Sequence, residues 1–106
     1  MRFFFDWMID HRFTDFLKAK RDLFLFDPDA KALERFHATI RELLARIAAD
    51  EAVVKSDQQR AFFLRRFAQE LEPLLALACA PDLAGAVAQV EERLTEIQDR
   101  VRAYSR

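Results

Sequence analysis

The run Glu34-Arg35-Phe36-His37 is the pattern in this chain that comes nearest to a reactive site. On a helix, Glu-x-x-His sets a carboxylate and an imidazole one turn apart on a shared face. Di-iron and di-manganese bundles hold their metals in this way, and they need the motif twice, with two further glutamates from facing helices. The only other histidine is His11, and Met8 rather than a glutamate stands three residues before it. One chain therefore cannot supply the whole ligand set. A metal-binding or di-metal enzyme built on Glu34 and His37 would need a second copy of the chain. The simpler expectation is that His37 flanks an apolar stripe beside Leu33 and Ile40 as a half-buried, hydrogen-bonded residue.

The other reactive side chains are sparse. Asp6, Asp10, His11 and Asp15 crowd one helical stretch, with Asp6 and Asp10, and His11 and Asp15, spaced to meet across a turn. Acids on a single helix more commonly form a solvated face than a divalent-metal site. Cys79 is the lone cysteine, so no internal disulfide can form. It stands near the C-terminal end of a helix, where the dipole disfavours a thiolate. Ser56 and Ser105 are the only serines, and they read as a cap and a tail residue. Glycine occurs once, at Gly85, which leaves no phosphate-cradling loop. These residues imply no catalytic set, no cofactor and no metal, so the expectation is a non-catalytic protein.

Charge narrows the partners. Lysine and arginine total 17 against 18 acidic residues. The first 26 residues carry five basic and four acidic groups, and residues 81–106 carry four and five. A nucleic-acid module shows a basic excess on some segment. Lys18-Ala19-Lys20-Arg21 and Arg65-Arg66 are the only short basic runs, and acids balance them elsewhere. The apolar opening Met1-Arg2-Phe3-Phe4-Phe5 is cut by Asp6 and Asp10 before a secretory core can form. No stretch reaches the roughly 18 apolar residues of a transmembrane helix. The expected location is cytoplasmic.

The elements that position these groups are helices. Three prolines and one glycine leave too few turns for a sheet, and alanine, leucine, glutamate and arginine favour helix. Asp27-Pro28-Asp29 reads as a cap, a first-turn proline and a dipole-matched acid. Leu33, Phe36, Ile40, Leu43 and Ile47 then recur at alternating steps, with Leu44 and Ala48 widening the stripe. Ser56 and Gln59 fit a capping box ahead of Phe63, Leu64, Phe67, Leu71, Leu74, Leu75 and Ala78. Pro73 predicts a kink there, or a short break after Glu70. The last stretch, Leu83, Val87, Val90, Leu94, Ile97, Val101 and Tyr104, keeps a strict seven-residue repeat suited to a left-handed seam. Glu42 with Arg46, and Glu96 with Arg100, are spaced as helical ion pairs. The chain is thus an all-α, antiparallel up-down bundle of about four helices, spanning about 3–25, 28–54, 57–79 and 82–104 in one domain. Homodimerisation is the alternative way to complete or extend the seam.

Aromatic excess is the remaining signal. Phenylalanine occurs 11 times. At 100° per residue, Phe5, Ile9, Phe13, Phe16, Leu17, Leu23 and Phe24 fill one sector of the first helix. Phe3, Phe4 and Trp7 fall outside it, and Phe62 falls outside the third stripe beside Arg65 and Arg66. Large apolar groups outside a completed core mark contact surfaces, where Trp, Phe and Arg are enriched. Phe3, Phe4, Trp7, Phe62, Arg65 and Arg66 are therefore the expected partner-binding residues. The partner would be another protein or a second copy of this chain, as for an adaptor, chaperone-like or regulatory bundle. Docking of the N-terminal helix on a membrane surface is the minor alternative.

Overall fold

The computed structural model describes the backbone of residues 2–25, 30–77 and 80–105, and the side chains of residues 4–23, 31–77 and 82–104. Four α-helices run through these residues: α1 (Arg2–Leu25), α2 (Ala30–Val53), α3 (Gln58–Leu71) and α4 (Ala80–Ser105). A 3₁₀ turn, Glu72–Ala76, follows α3 directly. No strand occurs among the described residues. A 24-residue helix is about 36 Å long, which accounts for most of the longest dimension of the molecule, 42 Å. Asp27-Pro28-Asp29 and Ala78 lie outside the described residues.

Side-chain pairs between helices fix their directions. Arg12 of α1 meets Asp50 of α2, and Arg46 of α2 reaches Asp15, further along α1. Asp10 of α1 meets Gln98 and Arg102 of α4, while Lys20 meets Glu91. Along both pairs, rising numbers on α1 face falling numbers on the neighbour. Arg93 of α4 meets Glu70 of α3, and Tyr104 meets Phe63, so α3 and α4 are antiparallel as well. α1 and α3 each pack on α2 and α4, which makes an up-down-up-down bundle closed in a ring.

One apolar core runs down the axis. α1 contributes Phe5, Ile9, Phe16 and Leu23, with Phe13 and Leu17 half-buried around them. Met8 and Ala19, which the helical sector missed, are buried too. α2 contributes Phe36, Ile40, Leu43 and Ile47. α3 and the 3₁₀ turn add Phe63, Leu64, Phe67, Leu71 and Leu74, while α4 adds its seam from Leu83 to Val101. Two stripe residues do not join. Ala48 is exposed because it sits at the outer edge of α2. Tyr104 keeps the seam's spacing but is 44% exposed, because the last turn of α4 stands at the open end of the bundle.

Local chemistry moves two boundaries. The capping box predicted Ser56 as the α3 cap, and the structure places the cap one residue later. Asp57 is extended (φ −112°, ψ 100°), and its Oδ1 accepts the backbone N–H groups of Gln59 and Arg60 at 3.1 Å each. Its Oδ2 accepts from the Arg60 guanidinium. A carboxylate at the positive end of a helix gains a charge term that a serine hydroxyl lacks. At its other end α3 stops at Leu71 and not at 79, the short break after Glu70 that Pro73 predicts as an alternative to a kink. Glu72 N–H still reaches the Ala68 carbonyl, but Pro73 has no N–H to continue the ladder. The chain tightens into the 3₁₀ turn, which keeps Leu74 in the core.

The Arg12–Asp50 pair is the most enclosed polar contact between helices. Nε and Nη2 of Arg12 donate to the two carboxylate oxygens, Nη2 at 3.1 Å, and Asp50 is only 8% exposed. The hydrogen bond to Asp50 raises the Arg12 pKa further above its ordinary value, against the opposing effect of burial.

Three stability outcomes follow from this packing. Truncating Phe67, which is fully buried, should cost about 3–5 kcal/mol in urea unfolding as Phe67→Ala. Asp50→Asn should cost about 2–3 kcal/mol, because it leaves a mostly enclosed guanidinium with a weaker partner. Asp57→Ala should lower the urea midpoint while Ser56→Ala leaves it unchanged, which would separate the observed cap from the predicted one. Backbone hydrogen bonding from Arg60, with help from its guanidinium, holds the Asp57 pKa below 3.8. Its contribution is therefore present above that pH and is lost as pH falls through the lower folded value. Across this acid range the midpoints of wild type and Asp57→Asn should converge.

Candidate interaction surface

Antiparallel packing gathers the N-terminal ends of α1 and α3 and the C-terminal ends of α2 and α4 at one end of the molecule. The large apolar side chains left exposed among the described residues are Phe4 (49%), Trp7 (55%), Val53 (65%), Phe62 (48%) and Tyr104 (44%). All five belong to that end. The sequence singled out Phe4, Trp7 and Phe62 from their helical phase, and the structure leaves each about half exposed. The side chain of Phe3 lies outside the described residues.

These rings form two groups. On the outer face of α1, Phe4 stacks with Trp7 at 6.0 Å, and Trp7 stacks with His11 at 4.7 Å. The i, i+3 and i+4 spacings of the three residues produce this column. The second group lies across α3 and α4. Phe62 meets Phe63 edge-on at 6.1 Å, and Phe63 meets Tyr104 at 5.8 Å. Beneath them, the Arg60 guanidinium lies 5.4 Å from the ring centres of both Phe5 and Tyr104. Arg60 is held there by Asp57, and it covers the end of the core at Phe5, which is 1% exposed. Arg60 Nε is buried without an acceptor, so the two flanking ring faces are its electrostatic partners.

The arginines flanking Phe62 diverge. Arg65 turns toward α2 and meets Glu51 at 3.8 Å. Arg66 meets Glu70, one turn further along α3, at 3.7 Å. Arg66 shares a groove between α3 and α4 with Arg93, Arg100 and Glu96, over a floor formed by Phe63 and Ile97. Sequence reading missed this groove because its α4 half lies along the edge of the seam. The spacing of Arg93, Ile97, Arg100 and Tyr104 at four, three and four residues was its only signal. The predicted ion pairs Glu96–Arg100 and Glu42–Arg46 are not found among the described residues. Arg46 joins Asp15 instead, and Arg100 stands in the groove with no carboxylate partner among the described residues.

The other candidate chemistry is dispersed. Asp10 is engaged by Gln98 and Arg102, and Asp15 by Arg12 and Arg46. These acids therefore tie helices together. Glu34 is exposed, while His37 is half-buried, with its ring 6.2 Å from Phe36 and its Nε2 buried without a partner. His37 thus takes the flanking position that its spacing predicts, but Nε2 lacks the expected hydrogen bond. No group of three metal-capable side chains comes together among the described residues. Lys18 and Arg21 are exposed and Lys20 meets Glu91, so that basic run divides between solvent and an interhelical pair. Cys79 lies outside the described residues. No helix among them is long and apolar enough to cross a membrane.

No protein-family model, curated protein or solved structure matches this chain. The geometry of the bundle end makes a direct optical prediction. Trp7, the only tryptophan, should emit as a solvated indole in the dilute protein and be quenched readily by acrylamide. Emission typical of a buried indole, resistant to quenching, would contradict the exposed position.

Proposed function

We propose that this chain is a small non-catalytic protein–protein interaction module that engages its partner through the aromatic end of the bundle. The observation that carries this reading is the segregation of exposed apolar side chains. Phe4, Trp7, Val53, Phe62 and Tyr104 all belong to one end, and they come from four different helices. A scatter of single exposed apolar groups is ordinary on a soluble protein, whereas a concentration of them at one place marks a contact surface. Stacked rings lose little conformational freedom on binding and cover large areas, which suits them as anchors. The ion pairs of the first helix support the same reading, since Asp10 and Asp15 are engaged with neighbouring helices and leave the rings as its distinctive outward feature.

Photo-crosslinking in the native cell tests the proposal. A photoreactive phenylalanine analogue at position 7 or 62 should give discrete protein adducts. The same analogue at exposed position 34, near the opposite end, should give few. Light scattering on the purified protein then shows whether an adduct is a second copy, and a Phe4→Ala/Trp7→Ala variant should lose the association. Equal labelling at both ends, or none at positions 7 and 62, would overturn the reading. A blue shift of Trp7 on anionic vesicles, without protein adducts, would replace it with membrane-surface docking.

A further inference from the structure

The groove between α3 and α4 has a chemistry distinct from the rest of the surface. The chain as a whole carries a net charge of −1, yet the groove is lined by Arg66, Arg93 and Arg100 against a single carboxylate, Glu96. Behind them Glu70, 14% exposed at its side chain, serves two guanidiniums at once, pairing closely with Arg93 and more distantly with Arg66. Arg100 has no carboxylate partner among the described residues. Cations therefore line the groove, and only a single acid faces them from its wall. Between them lie apolar atoms: Ile97 and Phe63 form the floor, and Phe62 stands at the rim, 48% exposed.

We infer that this groove receives an acidic amphipathic helix of a partner protein. The inference rests on the interaction-module reading and names the chemistry of the partner. Apolar side chains of such a helix pack against Phe62, Phe63 and Ile97, while carboxylates on its flanks meet the guanidiniums of Arg66, Arg93 and Arg100. Charge complementarity selects this occupant: planar guanidiniums bind carboxylates with two parallel hydrogen bonds. Shape agrees with it. Along α4 the lining runs from Arg93 to Arg100, about two turns or roughly 10 Å beside α3, which gives a short helix a place to dock. Glu96 stands within the basic stripe and repels a uniform polyanion, whereas a peptide can place a neutral or basic residue opposite it. A concave groove with a sunken floor also fits a rod better than a flat bilayer.

Selection from a displayed library of single helices with randomised surface positions tests this. The full chain is the bait, and counter-selection uses an Arg100→Glu variant, which breaks no ion pair among the described residues. The expected winners carry apolar residues at helical spacing flanked by Glu or Asp. They should bind wild type at least ten-fold more tightly than Arg100→Glu or Arg66→Gln, and weaken as salt rises. Circular dichroism and urea midpoints matching wild type confirm that both variants fold. Winners without acidic bias, or winners indifferent to Arg100, would overturn the inference. Winners that are lost with Trp7→Ala but not with Arg100→Glu would leave the interaction module standing and remove the groove from it. If no helix is enriched while the chain sediments with phosphatidylserine vesicles, the occupant is a membrane and the inference fails.

Discussion

The structure depends on the mutual burial of four apolar stripes. Most helical stability in proteins comes from packing an amphipathic face rather than from local propensity. Here each face finds two neighbours, and the ring closes around Phe16, Ile40, Leu64, Phe67 and Leu94, all essentially fully buried. The antiparallel directions follow from the same closure. With consecutive helices folded back on each other, the ring forms with every stripe turned inward.

A bundle has two ends, and this one treats them differently. Toward the N-terminal end of α1 the axis is filled by Phe5, Met8 and Ile9, and Arg60 lies across Phe5. Phe4 and Trp7 on α1, Phe62 on α3 and Tyr104 on α4 are surplus to a core already filled at their level, and they remain outside as paired rings. Their exposure is thus a consequence of how tightly the end of the core is packed, and it supplies the surface on which the proposed function rests.

Polar contacts tune this arrangement without driving it. Arg12 and Asp50 sit at positions a helical stripe would give to apolar residues, and their bidentate pair is tolerated because each satisfies the other. Such a pair contributes no more to stability than well-packed apolar residues of the same volume, but it disfavours any sliding of α1 along α2, since a shift would strand both charges. Asp15, nearly as enclosed, joins Arg12 and Arg46, while Asp10 acts similarly at the surface with more solvent screening. His37 is the exception: its buried Nε2 has no partner, and nothing in the structure accounts for that.

Much of this was legible in the residues. The near absence of glycine, the three prolines and the alternating three- and four-residue spacings determined an all-α chain and most of its core, because helical phase depends only on local geometry. The same reasoning separated Phe4, Trp7 and Phe62 from the core. The sequence pointed to Ser56 as the α3 cap, whereas the structure uses Asp57, whose carboxylate accepts two backbone N–H groups and the Arg60 guanidinium at the positive end of the helix. It did not show that Arg46 would leave Glu42 for Asp15, since the better partner lies on another helix. Tyr104 read as a seam residue until the bundle's open end exposed it. The groove of Arg66, Arg93 and Arg100 exists only where α3 and α4 meet. Spacing along one helix determines which face is apolar. Whether that face is covered, and what chemistry gathers beside it, depends on the partner helices, and tertiary packing alone decided it.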